Sequence, residues 1–207
     1  MANREYENKY IRMGHRYIAG VDEAGRGPLA GPVVIAAVIL PNNYNNQLID
    51  DSKKLSEKHR NELYGEIIKN ALAYKIVIID EATIDKLNIY QASKLGMINA
   101  IKGIKHPLDL VLTDAMPIGE LKVEVVSLIK GDTKSISIAA ASILAKVTRD
   151  QLMVNLHNLY PQYGFDKHKG YPTKAHLAAI AKYGITKYHR LSYKPVAIAK
   201  QLSLFEE

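Results

Sequence analysis

Between residues 135 and about 158 the sequence predicts one long helix whose apolar residues, Ile136, Ile138, Ala139, Ala140, Ala141, Ile143, Leu144, Ala145 and Val147, wrap most of its circumference. A helix apolar on so many sides has to be buried, and the short β-rich runs elsewhere in the chain supply a sheet to bury it against. Residues 17–21, 31–40, 74–79 and 108–113 read as such strands, and 122–127 alternates like a half-buried one. Residues 55–73, 81–103 (in one or two pieces) and 173–183 carry helical spacing between them. The order is that of an α/β domain. Its 207 residues suffice for a sizeable core without disulfides or a structural metal. We read 17–196 as the main domain, ending in a helical segment, with 1–16 as an N-terminal extension and 197–207 as a tail.

Ser142, Lys146 and Asp150 interrupt the apolar surface of the long helix at steps of four, which sets them in one stripe. Such a stripe is either a surface pair or the lining of a cleft, because a buried charge is costly unless it is paired. As a helix-stabilising pair, Lys146 and Asp150 stand in the less favourable order. Asp22 and Glu23 close the apolar run 17–21 and lead directly into Ala24-Gly25-Arg26-Gly27-Pro28. Either these residues merely end a strand and turn the chain, or the carboxylates are ligands for a hard cation such as Mg²⁺ or Mn²⁺. In the second reading Gly25 and Gly27 admit close backbone approach to a sugar or phosphate, beside the charge of Arg26. Asp114 stands at the end of another strand. If the two strands are neighbours, the long helix can bring Asp150 to Asp22, Glu23 and Asp114, in a cluster that cations make tolerable.

Lys and Arg total 28 against 21 Asp and Glu, a formal net charge of +7, which suits a polyanionic partner. From Asp166 to Lys194 there are seven Lys or Arg and one acid, interleaved with Tyr171, Tyr183, Tyr188 and Tyr193. This is either a nucleic-acid surface or a solvated basic face with half-buried tyrosines. The chain has no cysteine, which excludes thiolate catalysis, disulfides and thiolate zinc sites. Residues 1–16 are polar and the longest apolar run, 33–40, is too short to span a membrane, so a cytoplasmic protein without a membrane partner is expected.

Several long motifs together resemble ribonuclease HII: Gly20-Val21-Asp22-Glu23-Ala24-Gly25-Arg26-Gly27-Pro28, Asp51-Ser52-Lys53-Lys54-Leu55, Thr113-Asp114-Ala115, the stretch from Ser137 to Asp150, and His168-Lys169-Gly170-Tyr171-Pro172-Thr173. The resemblance runs from about Tyr17 to Val196. It implies a ribonuclease H-like fold, a central mixed β-sheet flanked by helices with a helical C-terminal extension. It also implies hydrolysis of the RNA strand of RNA–DNA hybrids, and nicking 5′ of ribonucleotides embedded in duplex DNA, to leave 5′-phosphate and 3′-hydroxyl ends. In that pattern Asp22, Glu23, Asp114 and Asp150 hold two Mg²⁺ or Mn²⁺ ions roughly 4 Å apart. Gly25, Arg26 and Gly27 sense the ribonucleotide through main-chain groups that both donate to and accept from its 2′-hydroxyl, and Tyr171 packs at the RNA–DNA junction. Lys53 and Lys146 are further cations for the substrate, whereas His168 and His176 are assigned no chemistry. The arginine at Arg26 distinguishes this pattern from the related ribonuclease HIII, which usually has lysine there and an additional N-terminal domain. Two small departures from the pattern are Ala115, where glycine is also frequent, and Tyr193, where phenylalanine is common.

The tail Gln201-Leu202-Ser203-Leu204-Phe205 resembles the short peptide with which bacterial replication and repair proteins bind the DNA sliding clamp. Gln201, Leu202, Leu204 and Phe205 are its candidate contacts. No feature requires an oligomer, and a monomer is expected.

Overall fold

The computed structural model describes residues 3–44, 46, 48–49, 52, 55–119 and 121–203, with the side chain of Ser203 excepted. In chain order the elements are α1 (Glu5–Arg12), β1 (Ile18–Ala24), β2 (Val33–Ile39), α2 (Glu57–Asn70), β3 (Ala73–Ile79), α3 (Glu81–Leu87), α4 (Ile89–Lys102), β4 (Leu110–Asp114), β5 (Glu124–Leu128), α5 (Gly131–Lys134), α6 (Ile136–Leu159), a 3-10 turn (Pro161–Tyr163), α7 (Phe165–His168), α8 (Lys174–Tyr183) and α9 (Lys194–Ser203). The five strands form one mixed sheet in the order β3-β2-β1-β4-β5, with β1 antiparallel to β2 and parallel to β4, and β4 parallel to β5. The wholly apolar β2 (Val-Val-Ile-Ala-Ala-Val-Ile) is buried throughout, whereas β5 is half exposed, as its alternating sequence requires. No helix among the described residues is long and apolar enough to cross a membrane.

The chain forms two compact units: Met1–Ala24, Val34–Val77 and Lys94–Val147 make the first, and Gly25–Val33, Ile78–Ser93 and Thr148–Glu207 the second. In the first, Tyr10, Ile18, Leu110, Leu112, Leu128 and Ile138 share a core. Tyr10, from the N-terminal extension, is thus part of that core. Another N-terminal residue, the buried Glu7, accepts hydrogen bonds from the Ser135 hydroxyl (2.6 Å) and the Ser137 N–H (2.9 Å). Its carboxylate thus caps α6, where the N–H groups of a helix are unsatisfied and anionic charge is favoured.

The second unit packs Leu29, Ala30, Met153, Leu156, Tyr163, Phe165, Ala179, Ile180 and Val196 into its own core. The helical stretch 81–103 does break in two. Asn88 takes a positive φ of 67°, and its side-chain oxygen accepts from the N–H groups of Tyr90 (3.0 Å) and Gln91 (3.1 Å), starting α4 afresh. Thr173 caps α8 in the same manner, through His176 N–H (3.2 Å).

Candidate active site

Register fixes the first part of the site. Val21 of β1 pairs with Thr113 of the parallel β4, so Asp22 and Asp114 follow side by side at the carboxyl ends of adjacent strands and on one face of the sheet. Gly20 belongs to that face too, and α6 crosses it almost in contact with the backbone: a Cβ on Gly20 would fall 2.0 Å from the Ser137 carbonyl carbon. This absence of a side chain, a constraint invisible in a run read only as apolar, lets the helix lie on the strand. Ser142 then reaches Asp22 and hydrogen-bonds to its carboxylate. The Ser142 oxygen also lies 3.0 Å from the hydroxyl of the buried Ser52, which must be the donor in that pair if Ser142 gives its own proton to Asp22.

Asp22 is only 6% exposed. Burial first, and then the charges of Glu23 and Asp114, hold its carboxyl well above the usual carboxylate range, and the Ser142 hydroxyl and the Glu23 N–H (2.7 Å) oppose that shift. Asp114 is oriented by the N–H of Gly131 at 2.7 Å. The chain turns immediately afterwards through Ala115 in the left-handed region, at φ 49°, which explains why glycine suits this position. An anionic, all-oxygen donor set in which neighbouring charges disfavour ionisation fits a hard divalent cation, whose charge would reverse that effect. Among the described residues no three His, Asp or Glu side chains are already gathered as ligands.

Asp150 belongs to the second unit, and Ser142, Lys146 and Asp150 follow one another at the expected steps of four along α6. Lys146 and Asp150 are half-buried. Lys53 lies outside the described residues.

In the second unit the loop 25–33 is held mainly by two arginines to which the sequence reading assigned no role. Arg149 is 1% exposed and donates to the carbonyls of Pro32 (Nε, 3.0 Å), Lys169 (Nη1, 3.0 Å) and Ala30 (Nη2, 3.2 Å). Arg190 is fully buried and donates to Gly31 (Nε, 2.9 Å), Arg26 (Nη1, 3.0 Å) and Gly25 (Nη2, 2.7 Å). Arg190 is thus a strut rather than one of the surface cations counted in its basic segment. Burial lowers both guanidinium pKa values, Arg149 to about 10 with help from the Arg190 charge, so Arg149 stays protonated at neutral pH. Gly25 is required twice over. Its φ is +103°, and a Cβ there would meet Arg149 Nε at 2.0 Å.

The exposed ring of Tyr171 lies beside the exposed Gly27, with its Cε1 3.4 Å from where a Cβ on Gly27 would stand. The second unit therefore brings the glycine-arginine-glycine element and Tyr171 together. The Tyr171 backbone is tied in turn by buried histidines. Thr186 N–H donates to His189 Nδ1 (2.9 Å), leaving the His189 proton on Nε2 to bond His176 Nε2 (3.2 Å), and His176 Nδ1–H donates to the Tyr171 carbonyl (3.0 Å). Burial pushes both histidines down, His189 to about 4, so this chain of bonds is neutral at physiological pH. Lys182 and Lys187 lie over the rings of Tyr183 and Tyr188, at 5.1 and 5.2 Å from the centroids. Gln201 and Leu202 lie on α9, so the tail from 197 as far as Ser203 is helical. Leu204 and Phe205 are outside the described residues.

The family model described as Ribonuclease HII matches residues 19–196. A protein named Ribonuclease HII from Oceanobacillus iheyensis is 54% identical over 191 residues, 92% of this chain and 73% of that one. Its namesake from Bacillus subtilis is 52% identical over 191 residues, 92% of this chain and 74% of its own. Among solved structures, the ribonuclease H2 of Pyrococcus horikoshii superposes with a TM-score of 0.78 at 24% identity, covering 90% of this chain and 98% of that one. The ribonuclease HII of Archaeoglobus fulgidus in complex with PCNA gives 0.71 at 26%, covering 92% and 100%. A Bst-RNase HIII bound to Mn²⁺ gives 0.68 at 16%, covering 91% and 70%. These likenesses establish the ribonuclease H-like fold.

Proposed function

The chain belongs to the ribonuclease HII family, a family of hydrolytic ribonucleases, and from that premise we propose that it cuts the RNA strand of RNA–DNA hybrids and nicks duplex DNA on the 5′ side of embedded ribonucleotides. The observation that carries this reading is the register of β1 on β4, which sets Asp22 and Asp114 at neighbouring strand ends beside Glu23. A module that only gripped hybrids would gain nothing from carboxylates there, since they repel phosphate. Asp22, Glu23 and Asp114, together with Asp150, are the residues that would hold Mg²⁺ or Mn²⁺. When bound, such ions supply an activated water and charge stabilisation at the scissile phosphate. The chain's own groups divide the remaining tasks: Ser142 orients the Asp22 carboxylate, the loop 25–27 meets the ribonucleotide, and Tyr171 packs on the sugar that follows it. Lys53 and Lys146 add positive charge for the phosphates.

An end-labelled DNA duplex with one ribonucleotide, incubated with Mg²⁺, with Mn²⁺ and with chelator beside an all-DNA control, tests this. Metal-dependent nicking 5′ of the ribonucleotide, giving 5′-phosphate and 3′-hydroxyl ends and lost in Asp22→Asn, is expected. Binding without nicking would leave only a hybrid-binding module, and cutting of the all-DNA control would indicate a different two-metal nuclease. Full discrimination at the RNA–DNA junction by Tyr171→Ala would reduce that ring to packing. The C-terminal residues Gln201, Leu202, Leu204 and Phe205 form the proposed clamp-binding peptide, a reading supported by the archaeal ribonuclease HII that was solved with PCNA. Unchanged clamp affinity by calorimetry after deletion of 201–207 would end that proposal.

A further inference from the structure

Two hydrogen bonds converge on the carbonyl of Arg26. The Tyr193 hydroxyl donates to this oxygen at 2.5 Å and Arg190 Nη1 donates to it at 3.0 Å, so both of its lone pairs are used. The same Nη1 donates to the Tyr193 oxygen at 2.9 Å, closing a triangle, while the Arg190 guanidinium lies 5.2 Å from the centre of the Tyr193 ring. Nη2 of Arg190 holds the preceding carbonyl, that of Gly25, at 2.7 Å. Every peptide bond here is trans, so the N–H of Arg26 points opposite to the Gly25 carbonyl and the N–H of Gly27 opposite to the Arg26 carbonyl. Two successive N–H groups are thereby turned away from Arg190, at two residues that are exposed.

We propose that Tyr193 is a positioning residue that determines specificity: its hydroxyl, braced by Arg190, locks the Gly25–Gly27 peptides so that they meet an oxygen of the ribonucleotide with N–H donors. This rests on the reading of Gly25–Gly27 as the element that senses the ribonucleotide. It narrows the expectation from sequence that the main chain of this loop both donates and accepts, because the Arg26 carbonyl has no lone pair left to accept from a 2′-hydroxyl. Without the tyrosine hydroxyl that carbonyl is held by one donor, and its peptide plane is free to rock.

Tyr193→Phe removes the hydroxyl alone and keeps the ring. For the duplex with one ribonucleotide, we expect KM to rise about five-fold with kcat within about two-fold of wild type, the loss a single hydrogen bond corresponds to. In an Asp22→Asn background, which removes turnover, Tyr193→Phe should lower the preference for the one-ribonucleotide duplex over the all-DNA duplex by a similar factor. Gly27→Ala run through the same assays separates this inference from its premise. If Gly27→Ala abolishes the preference while Tyr193→Phe leaves KM and the preference unchanged, the role of Tyr193 is overturned and the loop reading survives. If neither variant alters the preference, the loop reading itself fails. An equal loss of kcat on every substrate in Tyr193→Phe would also overturn the inference, because it would mark a general structural defect.

Discussion

The carboxylates of the first unit and the loop of the second are positioned by opposite means. Asp22 and Asp114 stand where hydrogen-bonded strands put them, and their side chains bear little of the load of holding the sheet together. The loop 25–33 has, before β2 begins at Val33, only an isolated bridge between Ala30 and His189, and its carbonyls are gripped by Arg149 and Arg190. A regular element satisfies its own backbone. A buried loop must find donors elsewhere, and an arginine can serve three carbonyls at once. Substitution should therefore separate chemistry from stability in the first region and confound them in the second.

The largest effect expected is on chemistry. Asp114→Asn retains the oxygen that accepts from Gly131, so circular dichroism and the melting temperature should stay near wild type while nicking falls by about a thousand-fold or more, some 4 kcal/mol of barrier. Wild-type turnover in this variant would remove Asp114 from the site. Arg149→Met tests the other side, because it leaves three carbonyls without their arginine donor. A loss of about 3 kcal/mol in urea denaturation is expected, and a loss below about 1 kcal/mol would show that the loop does not depend on that strut.

The histidine chain sharpens the comparison through pH. His189 is depressed from 6.5 to about 4, so between those values the unfolded chain binds a proton that the folded chain refuses. Its contribution to stability is complete above pH 6.5 and is lost as the pH falls toward 4, by about 3 kcal/mol in all. The raised carboxyl of Asp22 acts in the opposite sense, so the measurement is the difference between wild type and His189→Gln in urea midpoint from pH 7 to 4.5. A constant difference would contradict a neutral His189. The smallest effect belongs to the turn after β4, where Ala115→Gly relieves a left-handed φ of 49° and should stabilise by about 0.5 kcal/mol, since glycine's greater loss of chain entropy takes back part of the gain. Destabilisation there would mean that the alanine methyl packs usefully.

Much of the candidate site was legible before any coordinates. Asp22, Glu23 and Asp114 could be picked out because carboxylates at the ends of apolar runs are conspicuous, and the five strands and the longer helices between them followed from their two periodicities, whereas α1 and α9 did not. Tyr171 and Gly27 could be named singly, though not their contact. Arg149 and Arg190 were hidden because an arginine in a sequence looks like a solvated cation, and only packing turns it into an internal donor. Glu7 was passed over for the same reason, in a stretch whose polarity suggested an appendage. Sequence by itself determined which residues could bear charge, turn tightly or fill a core, since those are properties of side chains and local backbone. Only the tertiary structure decided which strands are neighbours, which glycine a helix rests on and which carbonyl a buried guanidinium finds, because these are set by contacts between segments far apart in the chain, whose register no local pattern contains.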